Sequence, residues 1–592
     1  MSLENNKKLS KIFIFLLLAL LITAIFSPFG IDLTDEGKQM SISWFMFRGD
    51  TDHSYSQNKI GSWLINGLWL SIIGKPLLIW ERVGGVLLMS IMALFAYLLI
   101  KKYKDDNYTI FIAFTTLLFV ICRNHPETKI DHSNLPTLLA IISLYFLFLF
   151  IKEDYEFNGN VILIICSALI MLVSIFTRSP HVLFLLFPAI FFIMSKYIYN
   201  IENRKIINAY IFYYGPLIII VVLGLLFSNK TLFLKNISSR LLSIIFSVKD
   251  INKIILNNEE LRDISYDIFL LKRYIKDLIY IIILSVLFII SFRIGGKLFK
   301  VFDRSKYYSK KFEVILFVIL AIFLFVFMLI KPWMWYMVTF GFILAYLMTI
   351  FYRRVDLKKE FFYLFWGVLL VIISFLGSNN SFRHSVPAGA VFVLVPIIAL
   401  MNKDKKESLE KLNLYFLYKF TIIFFIILLF VSGYKKIFDD NKRDVQPIFA
   451  RNTMFKSPEL FGVFSSKNRV EVIDGIILES KKIIKRDNTL ICFNSVPMLH
   501  YLLNRDYFLD DPWVEQLSIG KLKNRLETKA LKNIFPDYII FAKKSARENN
   551  WPDTDVLYEP ADKKKYEYMI DYIDKNNYKN IYENYGFILY KK

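Results

Sequence analysis

Long apolar runs separated by short charged loops dominate the chain as far as residue 432, and the spacing then changes. Runs near the ~20 residues that cross a bilayer as a helix fall at 12–29, 81–100, 108–122, 135–151, 161–176, 181–195, 209–228, 278–293, 313–330, 333–352, 361–376, 385–401 and 415–432. The pattern predicts about thirteen membrane-spanning helices. Residues 63–73 are apolar as well, but Gly67 and Gly74 interrupt them, and they read as an interfacial or re-entrant helix.

The polar loops test this count. Lys7, Lys8 and Lys11 precede the first run and place the N-terminus in the cytoplasm by the positive-inside rule. No small-residue cleavage site follows Ser27-Pro28-Phe29-Gly30, so the first run reads as a retained anchor. The basic loops 101–104, 196–205, 293–311, 353–359 and 403–411 then all fall on the cytoplasmic side. The loops 123–134, 178–181, 331–333 and 377–385 fall outside. Counting 63–73 as a span would move the basic loop 293–311 outside, against the rule. Residues 229–277 read as one or two amphipathic helices on the outer membrane surface, with Arg240 and Lys249 beside apolar positions.

Past residue 432 the period shortens. Strand candidates at 489–493, 538–542 and 587–590 alternate with helical patterns at 470–485 and 514–535. The fold class is therefore a polytopic α-helical membrane protein, residues 1–432, followed by a soluble α/β domain, 433–592, on the outer face. Its outer loops are 30–80 and 229–277.

Composition agrees with this. Of 592 residues, 55% are hydrophobic, 17% aromatic and 21% charged, more apolar than a soluble domain needs. The net charge of +22 sits mostly in short loops and sets topology, so it does not indicate a nucleic-acid partner. Cys122, Cys166 and Cys492 are scattered, which supports neither a disulfide framework nor a metal cluster.

The candidate chemistry lies in the outer loops. Asp35-Glu36-Gly37 follows the first run directly. One carboxylate can act as a base toward an acceptor hydroxyl, and the other can orient it or bind a divalent cation. The competing reading is a helix from Glu36 to Phe47 capped by Asp35. Asp131-His132 repeats the arrangement at the start of the fourth run, where Asp131 or Ser133 would also serve as a cap. Arg178 with His181, Lys331, and Arg383-His384 are outside cations able to hold a lipid-borne phosphate, or to snorkel to headgroups. Trp63, Trp69, Trp80, Trp333 and Trp335 read as an interface belt, some of them able to stack on a sugar.

These residues together resemble the GT-C glycosyltransferases. The layout is similar to the protein mannosyltransferase and aminoarabinose transferase branch, and more distantly to oligosaccharyltransferases. The resemblance covers the chain in architecture but only a few residues in motif, and the C-terminal domain lacks the oligosaccharyltransferase Trp-Trp-Asp. It implies an inverting transfer of a sugar from a polyprenyl-phosphate donor to a glycan, lipid or protein acceptor of the envelope. Asp35 would match the first-loop catalytic acid and Asp131 the acidic residue of the second loop. Glu36 joins them as catalytic, and His132, Arg178, Lys331, Arg383 and His384 as substrate-binding. No motif demands a cofactor; a divalent cation, if used, would be held by Asp35, Glu36 and Asp131. The expected location is the inner, cytoplasmic membrane, with the site facing out. The alternatives are an O-antigen or polysaccharide polymerase or ligase, which would place Arg and His in a large late loop, and a transporter, which would place charges inside spans.

Overall fold

The computed structural model describes residues 3–49, 60–103, 129–131, 134–150, 161–199, 201–227, 443–509 and 511–592, with short helical pieces at 275–276, 278–287, 289–290, 366–367, 369–370, 373, 427, 430, 433–434 and 437–438. The runs expected at 108–122, 313–330, 333–352 and 385–401, and most of 229–277, lie outside these residues.

Eight helices build the described apolar part: α1 (Leu3–Ile25), α2 (Asp35–Arg48), α3 (Ile60–Ser71), α4 (Leu78–Tyr103), α5 (Asn134–Phe150), α6 (Val161–Thr177), α7 (Leu186–Tyr199) and α8 (Asn203–Phe227). Among the described residues, the stretch Leu78–Leu99 is long and apolar enough to cross a membrane, and shorter apolar helices lie at Ile12–Ile25, Asn134–Phe150, Val161–Thr177, Pro180–Lys196 and Leu278–Leu287. The run expected at 181–195 divides into a 3-10 turn, Ser179–Leu185, and α7.

Helix α3 has 12 residues, about 18 Å at 1.5 Å per residue, which is too short to span. Its glycine is a contact point. A Cβ on Gly67 would lie 2.3 Å from the Ser43 carbonyl oxygen of α2, so α2 and α3 pack with backbones nearly touching. Trp69 and Trp80 close the α3–α4 turn. Their rings stack at 4.4 Å, and each indole N–H donates to the other's carbonyl at 2.9 Å. Both indoles are therefore committed to the turn.

The remainder is an α/β layer structure. Strands β1 (Thr453–Met454) and β2 (Phe464–Ser465) pair antiparallel. Then follow α9 (Lys467–Ile483), β3 (Leu490–Phe493), α10 (Met498–Leu503), α11 (Ile519–Leu531), β4 (Tyr538–Ala542), α12 (Lys563–Lys575), β5 (Lys579–Glu583) and β6 (Phe587–Lys591). The sheet order is β3-β4-β6-β5. β3 and β4 are parallel, with Leu490 opposite Tyr538, and β6 runs antiparallel to both its neighbours. Every residue of β3, at the sheet edge, and of β4, inside it, is buried, because helices cover both faces of this parallel pair.

The two faces feed different cores. Ile491, Phe493, Ile539 and Phe541 pack with Leu522 and Leu526 of α11 and Met569 and Ile573 of α12. Leu490, Cys492, Ile540 and Leu589 pack with α9 and α10, and this second core continues into Ile31, Leu33, Met40, Trp44, Phe45, Leu70 and Leu78. The loop after α1, helix α2 and the α3–α4 turn thus share one apolar core with the C-terminal layers.

Candidate functional site

The candidate carboxylates lie at that shared join. Gly30 N–H donates to the Phe464 carbonyl at 2.7 Å, and Phe464 N–H donates back to Pro28 at 2.8 Å. Met498 N–H donates to Leu33 at 3.1 Å, and Ser41 Oγ to the Pro497 carbonyl at 2.9 Å. Gly37 makes the approach feasible: a Cβ there would sit 2.4 Å from Met498 Cβ and 2.5 Å from its backbone nitrogen. The third residue of Asp35-Glu36-Gly37 is therefore a seat for α10.

Helix α2 starts at Asp35, one residue earlier than expected, and Asp35 is not its cap. The cap position is Thr34, whose side chain bonds no helix N–H, and Asp32, two per cent exposed, supplies the capping oxygens from two residues earlier. Its Oδ1 accepts from Thr34 N–H at 2.9 Å, and its Oδ2 approaches Glu36 N–H at 3.5 Å. Glu36 Oε2 reaches back toward Asp32 N–H at 3.4 Å, a reciprocal arrangement like a capping box. Asp35 is left with its side chain 55% exposed, held at one oxygen by Arg443 Nη2 at 2.8 Å.

Glu36 is in the opposite situation. It is fully buried, and Arg82 grips it bidentately, Nε to Oε1 at 3.1 Å and Nη2 to Oε2 at 3.0 Å. Two further donors of Arg82 go to the Ser27 and Gly30 carbonyls, both at 2.7 Å. This pair fixes the end of α1 to the start of α2. It leaves Glu36 closed to any substrate in this arrangement.

Arg443 owes its position to a second buried pair. Its backbone is left-handed, φ 45°, a conformation costing an ordinary residue about 1–2 kcal/mol. Arg469 donates to the Arg443 carbonyl and pairs with Asp444 Oδ1 at 3.3 Å. Asp444 Oδ2 in turn accepts from Ile31 N–H at 3.0 Å and Ser465 Oγ at 2.7 Å. Burial pulls the Arg469 guanidinium below its usual range, and Asp444 pushes back. From this frame the Arg443 guanidinium meets Asp35, the hydroxyl of Thr34 and, at 3.8 Å, Asp32.

Asp131 lies on a strap pinned to the same helices. Glu81 Oε1 accepts from Ile130 N–H at 3.2 Å, and Gln39 Nε2 donates to the Ile130 carbonyl at 2.6 Å. Gln39 is one helical turn beyond Asp35. Asp131 Oδ1 accepts from Asn134 N–H at 2.7 Å and so caps α5. Arg178 is buried at the end of α6, where its carbonyl accepts from His181 N–H at 3.0 Å. His181 Nδ1 lies 2.7 Å from Ser174 Oγ. The neighbouring Thr177 carbonyl accepts from Ser62 of α3 at 3.0 Å. The structure thus brings Asp35, Glu36 and Asp131 onto one framework. His132, Lys331, Arg383 and His384 lie outside the described residues.

Among the described residues no three His, Cys, Asp or Glu side chains cluster as metal ligands. Glu36 is held at both oxygens by Arg82 and Asp131 caps a helix, so the acidic trio expected to hold a divalent cation does not form a ligand set here.

No protein-family model and no curated protein matches the sequence. Solved structures do resemble it. An oligosaccharyltransferase from Archaeoglobus fulgidus, in complex with zinc and sulfate, aligns at a TM-score of 0.48 and 11% identity over 89% of this chain and 68% of its own. ArnT from Cupriavidus metallidurans, bound to undecaprenyl phosphate, aligns at 0.48 and 8% over 98% of both chains. The Archaeoglobus fulgidus oligosaccharyltransferase AglB, with an inhibitory peptide and a dolichol-phosphate, aligns at 0.46 and 10% over 90% of this chain and 70% of its own. The chain is similar to glycosyltransferases in outline. At these scores the chemistry has to come from the site itself.

Sequence reasoning overlooked Asp32, Arg82, Arg443, Asp444 and Arg469. Glu81-Arg82 carried a readable signal, two charges opening an apolar helix. Asp32 was legible as an Asx residue before a helix start. Arg443 gave no local sign, because Thr34, one of its contacts at the α2 start, lies 409 positions away.

Proposed function

We propose that this chain is an integral membrane glycosyltransferase of the GT-C type. It transfers a sugar from a polyprenyl-phosphate donor to an acceptor hydroxyl on the outer side of the membrane. The observation that carries this reading is Asp35, a half-exposed carboxylate at the start of α2, which follows the loop after the first apolar helix.

In this mechanism Asp35 takes the proton of the acceptor hydroxyl as that oxygen attacks C1 of the donor sugar. The C1–oxygen bond to the phosphate breaks, the polyprenyl phosphate departs with the electron pair, and attack from the opposite face inverts the anomeric centre. A positioned base of this kind contributes ~10²–10⁴-fold. Arg443 orients Asp35, the Glu36–Arg82 pair holds the helix start, and Asp131 holds the second loop. Arg178, with Lys331, Arg383, His132 and His384, is assigned to the donor phosphate and sugar. The donor's phosphate ester is already activated, so the reaction needs no nucleotide site.

The test is the lipid-linked sugar pool of cells lacking the protein. Accumulation of one polyprenyl-phosphate monosaccharide, consumed when purified protein is added, supports the assignment and names the donor. An unchanged pool, with no consumption of any such donor in vitro, overturns it.

A further inference from the structure

The C-terminal layers carry an apolar edge that their own core does not use. Between residues 447 and 461 the exposed positions include Pro447, Phe449, Met454, Pro458 and Phe461, with Asn452 and Lys456 among them. Phe449 is 67% exposed and Phe461 63%. Large aromatics this open, grouped in one short segment, mark a surface that is covered in use.

The neighbours of this edge say what covers it. Phe464 forms a backbone bridge to Phe29, just beyond α1, and their rings lie 5.8 Å apart. Gly462, next to Phe461, faces Ile79 in the first turn of α4 at 3.8 Å from its built Cβ position. On the other side Phe449 meets Phe438 at 6.1 Å, and Phe438 meets Tyr434 at 4.8 Å. Tyr434 and Phe438 are themselves exposed and directly follow the last apolar run, 415–432. The edge is thus continuous with the chain just beyond α1, with the first turn of α4, and with Tyr434 and Phe438.

We infer that residues 447–461 are a membrane-inserting edge, with Phe449, Met454 and Phe461 buried among the outer-leaflet headgroups and upper acyl chains. Phe side chains on the apolar side of interfacial segments sit at the headgroup–acyl boundary, and Lys456 is placed to meet lipid phosphates. The edge fixes the height of the C-terminal layers over the bilayer, and with it the height of Arg443, which lies four residues before Pro447 in the chain. The inference rests on the membrane reading above and adds a lipid contact to it.

Single cysteines at Phe449, Phe461, Ile91 and Leu531 would be spin-labelled in a C122S/C166S background, with buried Cys492 retained, and the protein placed in nanodiscs of phosphatidylethanolamine and phosphatidylglycerol. Labels at 449 and 461 should be reached by oxygen and shielded at least fivefold from a water-soluble nickel chelate relative to Leu531, which is 89% exposed. Chelate access at 449 and 461 equal to that at 531, while Ile91 in α4 reports lipid, overturns the edge and leaves the membrane assignment standing. Chelate access at Ile91 as well removes both. Dipolar broadening between labels of two copies would show protein seated there instead, and also overturns the inference. The unmodified protein gives a second measurement: a phospholipid carrying a headgroup-proximal diazirine should label peptides within 447–461, and labelling confined to α4 counts against the edge.

Discussion

Arg443 Nη2 lies 2.8 Å from Asp35 Oδ2, so the exposed carboxylate at the head of α2 is positioned by a residue from the start of the C-terminal layers. Neither group is fixed by its own element alone. Asp35 rests on a helix start built by Asp32, Glu36 and Arg82. Arg443 rests on a left-handed backbone built by Asp444 and Arg469.

The two neighbouring acids should fail in opposite ways when neutralised. Asp35→Asn keeps the shape and an oxygen facing Arg443, so the melting temperature should change little while turnover falls ~10²–10⁴-fold. Glu36→Gln leaves the Arg82 guanidinium buried without its counter-charge, which costs about 3–5 kcal/mol. That variant should show a large loss in thermal stability or yield. Equal stability losses in the two variants, or near-normal transfer by Asp35→Asn, would remove the distinction.

Arg443 can be separated from the fold by substituting glycine. Gly adopts φ 45° without steric penalty, whereas Ala keeps the strain. Arg443→Gly should therefore melt no lower than Arg443→Ala. Both should lose ~10²-fold in turnover, the scale expected when a reacting group is misplaced by about 1 Å. Wild-type turnover in the glycine variant would reduce Arg443 to a surface ion pair.

How much of this was readable in the chain depends on the range of the interaction. Helix starts near Asp35 and Asp131, and strands at 490–493, 538–542 and 587–591, follow from local period and polarity and lie within a few residues of expectation. Strand β5 did not announce itself, because Lys579, Asn580 and Glu583 leave it almost wholly exposed and it has no buried alternation. Helix α12 was legible in the one-sided spacing of Lys565, Met569, Tyr572 and Ile573 and was overlooked. The site was half legible: its carboxylates are local features, while the arginines that sort them into one buried and one open group come from outside the local pattern, Arg82 at 46 residues from Glu36 and Arg443 at 409 from Thr34. Gly67, read as an interruption, is instead what lets α2 and α3 touch.

Gly37 offers a test whose sign runs against helix propensity. Ala in place of Gly inside a helix normally stabilises by about 1 kcal/mol. Here the new methyl would fall 2.5 Å from the Met498 backbone nitrogen, and overpacking of this kind costs about 1–3 kcal/mol. Gly37→Ala should lower the melting temperature and speed hydrogen exchange at the Met498 amide, which donates to Leu33. A stabilised variant with unchanged exchange would show that α10 does not seat on α2.

A pH dependence should come from Glu515, buried beside the end of β3. Burial pushes its carboxyl up to about 7, above the ordinary carboxylate range near 4.3. An acid raised on folding stabilises most below its unfolded value, and that contribution is lost as pH rises through the folded value. The melting temperature should therefore fall between pH 5 and pH 8 in the native chain. Glu515→Gln should flatten this slope, and a variant with the native slope would assign it to other groups.

The reciprocal bonds between Pro28, Gly30 and Phe464 have a consequence for biosynthesis. The ribosome completes Asp35 early, yet Arg443 emerges 409 positions after Thr34, which at about 5–20 residues per second is on the order of tens of seconds later. During that interval the first loop is exposed without its clamp. A chain interrupted before residue 443 would thus carry Asp35 without the arginine that orients it, and under the proposed function it would be inert.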